Sequence, residues 1–112
     1  MDGSRLLVGT RKGLFVVDHD GSGWRASAPA FLGDGLSYAA ADPRTGAYWA
    51  CLDHGHWGVK LHRSEDRGAS WDELDVPAYP DGAKVADGSD ATLTYLWTIA
   101  PAGSGEPGRL YA

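Results

Sequence analysis

Short apolar runs alternate with turn-forming residues along the whole chain. Nowhere do apolar residues hold a three- and four-residue spacing for three turns, so the pattern predicts strands and almost no helix. Arg5–Val8 reads as a strand ending in the Gly9-Thr-Arg-Lys-Gly13 turn. Leu14–Val17 follows, then an Asp18-His-Asp-Gly-Ser-Gly turn and a strand from Trp24 to about Ser27. Leu36–Ala41 closes on Asp42-Pro43-Arg44-Thr45-Gly46, a turn in which Pro43 fixes φ. Tyr48–Leu52 ends at Asp53-His54-Gly55-His56, and Val59–Arg63 leads into a Ser64–Ser70 turn. Trp71–Val76 precedes a Pro-, Gly- and Asp-rich loop over Pro77–Asp90. Leu93–Ala100 and Arg109–Ala112 are the last two predicted strands.

These units repeat. Ser37-Tyr-Ala-Ala-Ala-Asp-Pro, a turn and Ala47-Tyr-Trp-Ala align with Thr94-Tyr-Leu-Trp-Thr-Ile-Ala-Pro, a turn and Arg109-Leu-Tyr-Ala. Arg5-Leu-Leu-Val-Gly-Thr matches the second strand of the same unit. Val17-Asp-His-Asp-Gly-Ser-Gly-Trp24 is a degenerate copy, one residue shorter, of Arg63-Ser-Glu-Asp-Arg-Gly-Ala-Ser-Trp71. The 47 residues between Trp24 and Trp71 fall in the range of about 40–50 expected for a four-stranded unit of a radial array.

Composition narrows the function classes. A formal net charge of −5 over 112 residues opposes a nucleic-acid partner, because phosphate binding needs clustered Lys and Arg. Arg5, Arg11 and Lys12 come nearest to a cluster, and three residues do not make a patch. The single cysteine, Cys51, has no partner for an intramolecular disulfide. It reads as a small buried hydrophobe within a strand. The opening Met1-Asp-Gly-Ser-Arg-Leu-Leu-Val lacks the apolar run of a signal peptide. No stretch approaches the ~20 apolar residues of a membrane helix. A cytoplasmic setting with no membrane partner is the expectation.

Residues Ser64-Glu-Asp66-Arg-Gly68-Ala-Ser70-Trp71 fit the pattern Ser-x-Asp-x-Gly-x-Thr/Ser-Trp at every defined position. In a tight hairpin the Asp carboxylate accepts backbone N–H groups, Gly supplies positive φ, and Trp packs against a neighbouring unit. The motif resembles the Asp-box, or BNR repeat, of sialidases and of many propeller proteins that are not sialidases. Gly9-Thr-Arg-Lys-Gly-Leu-Phe15 and Leu52-Asp-His-Gly-His-Trp-Gly-Val-Lys-Leu-His-Arg-Ser64 are similar to the opening of bacterial BNR-repeat proteins of the WD40/YVTN/BNR-like group. Such proteins are often assigned as glycosyl hydrolases or exo-α-sialidases. The similarity covers nearly the whole chain except Pro77–Thr92. It implies an all-β fold of antiparallel four-stranded blades of a β-propeller, with residues 1–112 as the N-terminal part of a single propeller domain. It also implies structural roles for Ser64, Asp66, Gly68, Ser70 and Trp71, on a turn facing away from the ligand side. A sialidase grips its substrate with three arginines and uses a tyrosine, a glutamate and an aspartate. The Arg-Ile-Pro-type motif that opens many sialidases is absent here, and no catalytic residue is assigned.

The resemblance places the candidate site on the loops joining second to third strands. These carry Arg11 and Lys12 in one case, and Asp53, His54, His56 and Trp57 in the other. Two cations, an acid, two imidazoles and an indole suit an acidic sugar, the indole stacking on its ring and Arg11 pairing its carboxylate. The alternative is a solvated Arg11-Lys12 turn with imidazoles that cap loop carbonyls. A metal held by Asp53, His54 and His56 is chemically allowed, but Gly55 leaves the two rings free to diverge. Neither a metal nor another cofactor is expected. The functional expectation is a glycoside hydrolase of exo-α-sialidase type or a glycan-binding propeller. A non-catalytic scaffold for protein or ligand binding is the alternative.

The strand count gives the last two or three strands of one blade, a full second blade and the first half of a third. The smallest closed propeller needs about four blades, or ~160 residues. The remaining blades of the same chain are therefore expected partners. Alone, the segment is expected to be oligomeric or poorly soluble through its open strand edges.

Overall fold

The computed structural model describes residues 4–112. The reading of Met1–Gly3 as part of a leaderless start lies outside the described residues. Turns that range from two residues at 11–12 to eight at 102–109 return strands antiparallel to the one before within each sheet, giving nine strands among the described residues. Strands β1 (Ser4–Thr10), β2 (Gly13–His19) and β3 (Trp24–Ala26) form one sheet in chain order. A second sheet holds β4 (Gly35–Ala41), β5 (Tyr48–His54), β6 (Gly58–Ser64) and β7 (Asp72–Leu74), also in chain order. The third is the pair β8 (Ala100–Pro101) and β9 (Leu110–Tyr111). Every pairing is antiparallel. The fold is all-β, as expected, and no helix among the described residues is long and apolar enough to cross a membrane.

Strand β5 explains the packing. Successive side chains of a strand point to opposite faces, and here both faces are covered. Trp49 and Cys51 enter one core with Leu61, Leu96 and Ile99. Ala50 and Leu52 enter another with Leu14, backed by Phe31 and Trp71. The four-stranded sheet is thus packed on one side by the first sheet and on the other by the C-terminal segment. Full burial of Leu14 or Leu52 in the core between the first two sheets contributes about 1.5–3 kcal/mol each.

Two arginines lace these layers together. Arg5 of β1 clasps Asp18 of β2 through Nε (2.6 Å) and Nη2 (2.9 Å). Its Nη1 donates across to the Tyr48 hydroxyl (3.3 Å) and the Arg67 carbonyl (3.4 Å) of the second sheet. Arg44 clasps the buried Asp42 and donates to the carbonyls of Glu106 (2.8 Å) and Arg109 (3.1 Å). That guanidinium holds the Asp42 carboxyl well down, to about 2.

The structure departs from the sequence expectation at Leu93–Ala100. Only Ala100 joins a ladder, pairing with Tyr111. The inward residues Leu93, Leu96 and Ile99 recur every third position, and a pleated strand presents every second. The segment is held by side-chain burial against Trp49 and Cys51. Other boundaries moved by one or two residues, because the hairpins close tightly at Thr10–Gly13 and His54–Gly58.

Candidate functional site

The Ser64–Trp71 turn is built on two side-chain acceptors. Ser64 Oγ accepts the Gly68 N–H at 2.8 Å and donates to Asp66 Oδ1 at 2.8 Å. Asp66 Oδ1 accepts the Ser70 N–H at 2.8 Å, and Asp66 Oδ2 accepts the Ser70 hydroxyl. Arg67 and Gly68 both have positive φ, 60° and 91°, and the Ala69 N–H closes on the Asp66 carbonyl at 3.3 Å. Two consecutive positive φ values are the signature of a type I′ turn, which matches the twist of the flanking strands. These bonds, the Ser70 hydroxyl foremost, hold the Asp66 carboxyl down to about 2. Trp71 leaves the turn and packs edge-on against Phe31, ring centroids 5.2 Å apart, in the core between the first two sheets.

Strand β6 runs away from this turn to Gly58, so the β5–β6 hairpin lies at its opposite end. Here His54 Nδ1 accepts the N–H groups of His56 (3.2 Å) and Trp57 (3.0 Å). With Nδ1 an acceptor, the proton sits on Nε2, which lies 3.3 Å from Asp34 Oδ1. His56 stands edge-on to Trp57 at 4.4 Å, and the indole is 67% exposed. Residues 55–57 are thus an ordered tip displaying an aromatic face.

The β1–β2 turn reaches the same end. A Cβ placed on Gly35 would lie 4.0 Å from Arg11 Cα and 3.7 Å from the Asp53 carbonyl oxygen. The Lys12 carbonyl accepts the Gly33 N–H at 3.1 Å. Arg11, Lys12, Asp53, His54, His56 and Trp57 therefore share one end of the sheets. They do not all share one cleft. His54 and Trp57 line a cleft of about 390 Å³, completed by Phe31, Asp34, Lys60, His62 and Glu73 among others. Arg11, Lys12, Asp53 and His56 lie outside it, exposed. Asp53 and His54 are neighbours on one strand and so point to opposite faces. Among the described residues, no three His, Cys, Asp or Glu side chains gather as metal ligands.

Sequence reasoning missed the far wall of this cleft. Lys60 Nζ lies 3.6 Å from Glu73 Oε2, and His62 Nε2 lies 3.9 Å from Glu73 Oε1. Burial lowers the His62 pKa, with Glu73 opposing, and its ring packs 4.8 Å from Phe31. Phe31 sits at φ 55°, a conformation that costs a bulky residue energy and concentrates at functional sites. It is locked there by the paired Leu14 and Ala30 backbones and by the Asp34 N–H on its carbonyl. The available signal was the alternation of β6: Lys60 and His62 share a face with Gly58. Cys51 is fully buried, and burial pushes its thiol up to about 11, so it is no nucleophile.

Neither a protein-family model nor a curated protein matches the chain.

Proposed function

We propose that the chain is part of an Asp-box β-propeller of the sialidase-like group. At the end of its sheets remote from the Asp-box it binds, or acts on, a glycan or similarly small polar ligand. The blade reading draws support from sheets of three, four and two strands in chain order, and from the bonding of Ser64, Asp66, Gly68 and Ser70. One observation carries the ligand reading: an exposed Trp57 beside a cleft of polar side chains, at the end where two turns converge. Aromatic faces over polar groups suit sugar rings, which have an apolar C–H face and a polar rim. Probing an array of diverse glycans with the purified chain tests this. Captured glycans that are lost with Trp57→Ala support the reading, and an array silent for the parent protein refutes it.

A second reading, a non-catalytic scaffold for another protein, is favoured by a different surface. Tyr95 and Trp97 stand 5.6 Å apart near Tyr79, and Trp97 is 78% exposed. Clustered exposed aromatics mark interaction sites. A silent glycan array, together with a protein partner whose binding is lost with Trp97→Ala, would support this reading over the first.

A further inference from the structure

The charges lining the His54–Trp57 cleft say which kind of glycan it fits. Two carboxylates, Asp34 and Glu73, face one lysine, Lys60. That lysine is already committed to Glu73 at 3.6 Å. His54 has Nδ1 occupied by backbone N–H groups and turns Nε2 toward Asp34. His62 is held toward its neutral form by burial. An acidic sugar needs an uncommitted cation for its carboxylate, and its charge would sit beside two like charges. Arg11 and Lys12, the cations expected to serve, are at the same end of the sheets but do not line the cleft.

What the cleft offers in abundance is hydrogen-bond acceptors. An ionised carboxylate only accepts, and its two oxygens take adjacent hydroxyl donors. Trp57 supplies a platform, and the Lys60 N–H groups not directed at Glu73 supply donors for ring and hydroxyl oxygens. A volume of about 390 Å³ is in the range of small-ligand sites, about 300–1,000 Å³.

We propose that this cleft takes a neutral saccharide, a hexose-type ring with adjacent hydroxyls on Asp34 and Glu73 and its apolar face on Trp57. The proposal rests on the glycan-binding reading above and replaces its acidic-sugar version with a neutral one. Saturation-transfer NMR on the whole chain tests it, using methyl glycosides of glucose, galactose and mannose against N-acetylneuraminic acid and glucuronic acid. At least one neutral glycoside should receive saturation and the two acids should not. Trp57→Ala should weaken the neutral signal at least tenfold while leaving the thermal melt unchanged, since the indole is exposed. Glu73→Gln should weaken the neutral sugar and, by releasing Lys60, let an acidic one bind. An acidic sugar that binds the parent protein as well as any neutral one overturns the proposal but leaves glycan binding standing. If neither class binds, both fall.

Discussion

Replacing Ser64 with Ala tests the proposed Asp-box as a structural device. Ser64 is 1% exposed, and its Oγ is the acceptor of the Gly68 N–H and a donor to Asp66. Ala removes both bonds, together with a longer one from the Asp66 N–H at 3.4 Å, and leaves the Gly68 N–H without an acceptor in a half-buried turn. Stranding a buried donor costs about 1–3 kcal/mol; with the turn able to admit some water, the expected loss is about 2 kcal/mol. For a chain of this size that lowers Tm by roughly 10 °C. The variant also loosens Asp66, whose carboxyl is held down to about 2 by Ser70 first and by Ser64 in addition. A carboxyl depressed in the folded state stabilises fully above its ordinary pKa of 3.8 and progressively less as pH falls from there through about 2. The gap between parent and variant should therefore be widest at neutral pH and narrow toward pH 2. Circular-dichroism melts across that pH range read both effects. Pairing the change with Asp66→Asn should cost less than the sum of the two single changes, because the residues share one network. A Ser64→Ala protein that melts within about 0.5 kcal/mol of the parent, with additive double-variant behaviour, would mean that the Ser64 bonds do not hold the turn.

Three further outcomes follow from the same geometry. Cys51, fully buried with its thiol pushed up to about 11, should resist alkylation at pH 8 until the protein is denatured; modification of the native protein would contradict the packing. Gly13→Ala should cost about 3 kcal/mol, from a φ of 132° and a Cβ only 2.7 Å from the Ala30 carbonyl oxygen. Gly21→Ala, with φ 92° and open space around it, should cost only about 1 kcal/mol, and chemical denaturation of the two variants compares them. Arg44→Met should raise the Asp42 pKa from about 2 and speed amide exchange over residues 102–112, whose carbonyls at 106 and 109 it anchors; unchanged exchange would mean the tether is idle.

The strands were legible because each apolar run is short and bounded by Gly, Pro or Asp. The Ser64–Trp71 turn was legible because each of its residues has its own local job. Leu93–Ala100 misled because β-prone composition says nothing about whether inward positions recur every second residue or every third. The end shared by Arg11 and His54 was anticipated, but the cleft was not. Its other wall comes from Phe31 and Asp34 before β4 and from Glu73 on β7, and only folding brings these beside His54. Arg5 and Arg44 were likewise invisible as tethers, since the acceptors they reach across the layers lie 43 to 65 residues away in the chain.

Mapping backbone amide shifts while titrating a glycan that the chain captures locates the binding end of the sheets. Shifts should concentrate at Asp34, His54, Gly55, His56, Trp57 and Glu73, with Gly68 and Ser70 of the opposite end unmoved. Shifts centred on the Ser64–Trp71 turn, with the Trp57 end silent, would contradict it.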